Sequence, residues 1–311
     1  MFIPNFEGYY QKIFEVVRLS IQSAWVTQHT RSAITVINNG SCKEVSELLE
    51  QMHADGIIET LISHKENIGK VDAILGAARG CREDLITFSD ADILFLNGWQ
   101  KATESIFEKF ERAGSVAPFP ISRHLYYFST STQKAVVRGK LKFKFENSSN
   151  SELIKSNYQC YGWDFDPKYD GLLPVIYSGG EKAVLGSGHQ VFTLRREVVF
   201  QLPNQPSFIK ISNSSESLWI DEPIDLSNFW RLSTYDTWVV HMGNKITSQY
   251  EQIFRELKKE DSLTSSVNLN PLVPQKVNFI FNRIYSKLFK YFFDKRGPAP
   301  KLKRNINQDG I

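Results

Sequence analysis

Two carboxylates one residue apart, Asp90 and Asp92, stand directly after the apolar run Leu85-Ile86-Thr87-Phe88. Such a run reads as a buried strand, so both acids emerge where the strand ends. Alternate residues at a strand end place one carboxylate toward a bound ribose and the other toward a divalent cation. Hard cations such as Mg²⁺ or Mn²⁺ take oxygen ligands and bind through one or two carboxylates plus substrate phosphates. Alone the pair is weak, because aspartate is also a favoured helix cap. Further residues of chemical type follow the chain in order. Asn38 lies in Asn38-Asn39-Gly40-Ser41, and Asn67 and Lys70 lie in Glu66-Asn67-Ile68-Gly69-Lys70. Then come the loop Gly186-Ser187-Gly188-His189, the acidic run Asp221-Glu222-Pro223-Ile224-Asp225, and His241. Each has a structural alternative. Asparagine favours turns whatever it faces, Gly186 and Gly188 suit a tight turn, and Lys70 suits a solvated helix start. His241 suits a hydrogen-bonded core position, and Asp225 suits the start of a helix ahead of Phe229.

The elements that must position these residues are legible in outline. Apolar spacing predicts helices over residues 9–23, 71–79 and 99–112, and strands over 33–37, 57–62, 85–89 and from 115. A further helix from residue 41 to about 55 carries Val45, Leu48, Leu49 and Met52 on one face. Ser41 and Glu44 have the spacing of a capping box at its start. Strands alternating with helices predict a mostly parallel central sheet flanked by helices on both faces. Ligands of such sheets bind at the carboxyl ends of the strands. The Asn38–Ser41 turn and the Ser89–Asp92 segment both lie at such ends, which places them on one rim. Residues 119–177 show no clear period and read as loops and short strands covering the site. No internal repeat is present.

The motifs in this order resemble family 2 and related glycosyltransferases of the GT-A type, of the kind that build bacterial cell-envelope glycans. There an N/D-G-S turn ends one strand, an N-x-G segment opens a helix, and an Asp-x-Asp ends a later strand. The resemblance covers most of residues 1–245. It implies the nucleotide-diphospho-sugar transferase fold and transfer of a sugar from a nucleotide-sugar donor to a glycan or lipid-linked acceptor. It implies metal ligation by Asp92 and His241, with Asp90 on the ribose or a metal-bound water. It also implies donor contacts from Asn38, Asn67, Lys70 and Gly188, and a catalytic base at Asp221 or Glu222. A carboxylate base on the far side of the sugar predicts inversion. One departure stands at the amino terminus, where the family's full first strand is reduced to Phe2-Ile3-Pro4. A non-catalytic nucleotide-sugar or glycan binding module is the alternative reading, since a fold does not fix a function. Dehalogenase-type phosphatases also carry Asp-x-Asp, but need Thr or Val where Leu94 stands and place the motif near the start of their core.

The 311 residues are 41% hydrophobic and 23% charged, as in ordinary globular proteins. Three scattered cysteines, Cys42, Cys81 and Cys160, argue against a disulfide framework or a thiolate zinc site and for a reducing cytoplasm. No run is apolar enough to span a membrane, and no secretory signal opens the chain. The expected organisation is a catalytic domain over 1–260, a Ser/Asn/Pro-rich linker over 261–275 and a basic amphipathic segment over 276–311. That last segment has nine basic residues against two acidic ones, a net of +7 within a chain of +3. Val277, Ile280, Phe281, Ile284, Leu288 and Phe292 share one helical face, with Lys276, Arg283, Lys287 and Lys290 gathered on another. This pattern predicts a peripheral anchor on an anionic membrane surface, the inner face of the cell membrane, with Lys301, Lys303 and Arg304 adding attraction. No nucleic-acid recognition motif accompanies the charge.

Overall fold

Strand β1 (Thr35–Asn39) and strand β2 (Thr60–His64) pair in parallel, joined by helix α2 (Lys43–Ala54). A parallel pair needs such a crossover. Val45, Leu49 and Met52 recur at helical spacing and bury with Val36 and with Val16, Val17 and Leu19 of helix α1 (Ile13–Thr27). The computed structural model describes residues 1–29, 32–210, 215–259 and 267–297. Helix α3 (Lys70–Ala78) then leads to β3 (Leu85–Ser89), the strand that delivers Asp90 and Asp92. The expected cap at Ser41 is not formed. Ser41 Oγ accepts from the Ile3 amide at 3.1 Å, and Cys42 takes the cap position without a side-chain bond. The amino-terminal segment runs beside β1 and captures the hydroxyl first.

A seven-stranded sheet follows the order β3, β9 (Val191–Arg195), β5 (Ala113–Ala117), β10 (Trp230–Ser233), β8 (Glu181–Leu185), β7 (Leu172–Ser178), β6 (Lys142–Asn147). Only β5 and β10 run parallel within it, and the other pairs are antiparallel. The sheet is therefore mixed, where strand–helix alternation in the first third had predicted it mostly parallel. The reason lies after β5, where hairpins replace helical crossovers. Gly179 and Gly180, both at positive φ, make the two-residue turn between β7 and β8, a backbone that side chains resist.

Residues 119–177 are more regular than their composition predicts. They form α5 (Thr130–Val137), β6, α6 (Ser151–Cys160) and β7. In β6 the alternation Lys-Phe-Lys-Phe is a half-buried strand signal, with Phe143 and Phe145 packed against the core. Helix α6 buries Ile154, Asn157 and Tyr158, a pattern its Ser/Asn-rich remainder obscures. Helix α4 (Trp99–Lys109) covers the sheet through Ile106 and Phe107. A short ribbon, β4 (Ile93–Phe95) against β11 (Val239–His241), pairs Ile93 with His241. Helices α7 (Arg196–Val199), α8 (Glu222–Leu226) and α9 (Ser248–Glu256) complete the domain.

Of the expected linker, 261–266 lies outside the described residues. Residues 267–274 strap across the domain, with Leu272 buried and the carbonyls of Asn270 and Val273 accepting from Arg195 and Arg112. Helix α10 (Phe279–Phe292) then packs on α5. Among the described residues no helix is long and apolar enough to cross a membrane. Lys301, Lys303 and Arg304 lie outside the described residues.

Candidate active site

The β4–β11 ribbon does the work of bringing Asp92 to His241. With Ile93 opposite His241, the Met242 amide donates to the Asp92 carbonyl at 2.8 Å. Asp92 Oδ2 then lies 3.3 Å from His241 Nε2. That is the spacing of two ligands sharing one ion at bonds near ~2 Å. Asp92 Oδ1 and His241 Nδ1 are buried without a hydrogen-bond partner among the described residues, unusual for buried polar atoms. Burial pushes the Asp92 carboxyl up, His241 opposing and Asp90 adding to the rise. Among the described residues no group of three or more His, Cys, Asp or Glu side chains forms a metal centre. A cation would thus take two protein ligands, and donor phosphates and water would supply the others, which is the usual pattern for Mg²⁺. On these atoms the pair fits a divalent ion.

Asp90 has a different neighbour. Lys70 Nζ lies 2.5 Å from Asp90 Oδ1 and 3.0 Å from Glu216 Oε1. Burial works against the Lys70 charge, but the two carboxylates outweigh it and hold its pKa above the ordinary lysine value. Lys70 opens α3, and Gly69 before it sits at φ +96° against the Ile209 carbonyl, with no room for a Cβ. Only glycine lets the helix start that close to the loop.

Asn38, Asn39 and Asn67 build the turn that brings β1 to α3. Asn38 donates to Ser46 Oγ and accepts from the Ser41 amide, both at 2.9 Å. Asn39 donates to Asn67 Oδ1 at 2.9 Å and accepts from the Ile68 amide at 3.1 Å. Asn67 Oδ1 also accepts from the Gly69 amide at 2.8 Å. These bonds commit both ends of the Asn38 side chain and the oxygen of Asn67 to the loop. Gly188 is packed by Phe119, Ile121 and Gln190.

The acidic run divides by role. Residues Ser217–Asp221 form a π-helical turn continuing into α8, a distortion frequent at functional sites. Asp221 is buried. Its Oδ1 lies 2.6 Å from Arg231 Nη2, and its Oδ2 3.0 Å from His189 Nδ1. Burial opposes its ionisation, yet Arg231 and His189 hold the carboxyl below the ordinary range. Arg231, fully buried on β10, also donates to the carbonyls of Ser187 and Tyr127, at 2.8 and 2.7 Å. His124 Nδ1 lies 2.8 Å from the same Ser187 carbonyl, and burial with the Arg231 charge drops its pKa to about 3. Asp225 accepts from the amides of Thr130 and Ser131 and from Thr130 Oγ1, which caps α5 across space. Glu222 is half-buried at the start of α8; its amide donates to the Ser217 carbonyl, and its side chain has no hydrogen-bond or ion-pair partner among the described residues.

These groups share one rim. The Asp90 amide donates to the Gln190 carbonyl at 2.7 Å, which seats His189 beside the Asp-x-Asp segment. Lys70 ties that segment to Glu216, at the head of the helical stretch that carries Asp221 and Glu222. Sequence reasoning missed Glu216 and Arg231. Arg231 had a signal, a lone cation within Phe229-Trp230-Arg231-Leu232, since a buried arginine demands an anion. Glu216 had none, because its partner is 146 residues away.

A mixed α/β fold with paired carboxylates at a strand end, a histidine beside one of them and an acidic helical stretch tied to the other through Lys70 is the arrangement that the resemblance to GT-A type glycosyltransferases implies. Residues 9–161, just under half of the chain, match the family model described as glycosyl transferase family 2. No protein of curated function matches the chain. Among solved structures it is similar to the mannosyltransferase PcManGT from Pyrobaculum calidifontis, solved with GDP-Man and Mn2+, at 13% identity and TM-score 0.41. That match covers 82% of this chain, which spans 59% of the mannosyltransferase's length. HddC from Yersinia pseudotuberculosis is similar at 13% identity and TM-score 0.34, over 78% of this chain and 85% of that one.

Proposed function

We propose that this glycosyltransferase moves a sugar from a nucleoside-diphosphate donor to a hydroxyl of a glycan or lipid-linked acceptor, with inversion and with a divalent cation. The supporting observation is the Asp92–His241 pair, 3.3 Å apart, each side chain with a buried atom that has no partner among the described residues. Asp92 and His241 would hold Mg²⁺ or Mn²⁺, and the ion would offset the charge that grows on the departing diphosphate. Lys70 is a second cation at the same rim. On donor arrival its ammonium exchanges a carboxylate for phosphate oxygens, and Asp90 becomes free to accept from a ribose hydroxyl. Glu222 takes the acceptor proton as the acceptor oxygen bonds to the anomeric carbon and the bond from that carbon to the diphosphate breaks. Asp221 does not serve as this base. Its charge is committed to Arg231, and its role is to hold His189 and the Ser187–Gly188 loop in place. A base on the face opposite the leaving group gives inversion. The segment after residue 275 is proposed to meet the anionic membrane surface where a lipid-linked acceptor resides.

The test is release of nucleoside diphosphate across a panel of nucleotide-sugars, with Mn²⁺, Mg²⁺ or excess chelator. Turnover is expected with at least one donor, abolished by chelator and reduced at least ~100-fold in Asp92→Asn. Full turnover in chelator, or in the Asp92→Asn variant, would refute the metal role. No turnover with any donor under any metal condition would favour a binding module.

A further inference from the structure

We propose that α10 is the membrane-facing wall of the enzyme, its outer face lying on an anionic bilayer while its inner face holds the catalytic helix in register with that surface. The observations divide the helix in two. Ile280, Phe281, Ile284, Leu288, Tyr291 and Phe292 are 38–74% exposed and form one continuous apolar strip. The same helix buries Asn282 and Phe289 against the domain. The Phe289 ring packs 5.0 Å from Phe143 and 6.3 Å from Tyr126. The apolar strip therefore remains outside after the helix has docked on its own domain. Contiguous exposed apolar surface of this kind marks an interaction site.

Charge selects the occupant. Arg283, Lys287 and Lys290 are the ionisable groups of opposite or like sign to weigh on the helix, and no acid occurs between Phe279 and Phe292. Lys276 and Lys295 flank it on either side. The nearest acid, Asp294, is taken by the Tyr126 hydroxyl and by Arg296. A second copy meeting this strip across a twofold axis would oppose basic groups to basic groups. A bilayer of anionic lipid accepts both parts, apolar side chains among the acyl boundary and lysines among the headgroups.

The inner face reaches the site. Asn282 Nδ2 donates to Thr130 Oγ1 at 3.1 Å, and Thr130 Oγ1 donates to Asp225 Oδ2 at 2.6 Å. Asp225 lies in α8, three residues after Glu222. The Val277 and Gln275 amides donate to the carbonyls of Leu226 and Ser227, at 3.3 and 3.1 Å, where α8 ends. A surface that fixes α10 thus fixes α8, and the acceptor cleft keeps one height above the lipid. The link to α8 rests on the proposed role of Glu222, whereas lipid binding by the strip does not.

The experiment is flotation of the full chain with vesicles of phosphatidylcholine alone or with a third phosphatidylglycerol. Light scattering of the free protein and diphosphate release with a soluble acceptor accompany it. The wild type is expected to float with the anionic vesicles only. Replacing Phe281, Ile284 and Phe292 together by serine should lower binding ~tenfold or more, with soluble turnover and thermal unfolding unchanged. Lys287→Gln with Lys290→Gln should lower it by roughly 25-fold, about fivefold per charge. No flotation of the wild type, equal flotation of the serine variant, or equal binding to neutral vesicles would each overturn the proposal. So would a dimer that the serine substitutions dissociate. Failure of turnover with flotation intact would instead count against the transferase reading.

Discussion

At the scale of single residues, the acidic run Asp221-Glu222-Pro223-Ile224-Asp225 contains three carboxylates with three fates. Glu222→Gln is expected to lower turnover ~100- to 10,000-fold with donor affinity retained, as removal of a general base does. Steady-state kinetics beside donor titration would check this, and a loss of donor affinity alone would refute it. Asp221→Asn acts through the fold. It leaves the Arg231 guanidinium buried without its anion, which should cost ~3–5 kcal/mol of stability in denaturant unfolding. The pH dependence carries the same signature. The folded Asp221 carboxyl lies below its ordinary value of 3.8, so its stabilisation is complete above that pH and is lost as pH falls through the lower folded value. Unfolding midpoints measured down the acid limb should flatten in Asp221→Asn relative to wild type.

At the scale of elements, the site depends on ends and turns meeting, and the strongest ties are between segments distant in sequence. Asp225 was expected to start its own helix, but it caps α5 instead through three donors. Asp225→Ala should therefore destabilise the protein by ~1–2 kcal/mol, the loss of a cap, while turnover with a soluble acceptor persists. A large loss of turnover at unchanged stability would move Asp225 into the chemistry. Local sequence predicted the bounds of β3, α3 and α4 closely because each carries apolar residues on one face, but β3 is an edge strand in which only Phe88 is buried, not the buried strand expected. It failed over residues 119–177 because aromatic, Ser and Asn residues there pack on the core at irregular spacing. In β6, by contrast, the Lys142-Phe143-Lys144-Phe145 alternation was a readable signal.

At the scale of the whole molecule, α10 belongs to the domain as well as to its surroundings. Phe289 is fully buried and sits in the cluster that contains Leu125, Val136, Leu141 and Ile176. Phe289→Ala should cost ~3–5 kcal/mol and lower the single unfolding transition of the entire chain. Separate melting of a tail ahead of an unchanged domain would contradict this. The mildly acidic body and strongly basic end of the chain then acquire a spatial meaning. Three of the nine basic residues of that end, Arg283, Lys287 and Lys290, sit on the helix whose apolar strip is exposed among the described residues.

The sequence by itself determined the local chemistry of this protein. Asp90 and Asp92 at the end of an apolar run, glycines where side chains cannot fit, and an amphipathic basic helix are all readable because short-range spacing sets them. It also listed Asp221, Glu222 and His241 without being able to assign them. Only the tertiary structure decided that His241 meets Asp92, through a ribbon register joining segments about 150 residues apart. Only it decided that Arg231 claims Asp221 and leaves Glu222 uncommitted. The reason is that a carboxylate's role depends on which charge is buried beside it, and that neighbour is chosen by packing between distant segments rather than by its own sequence context.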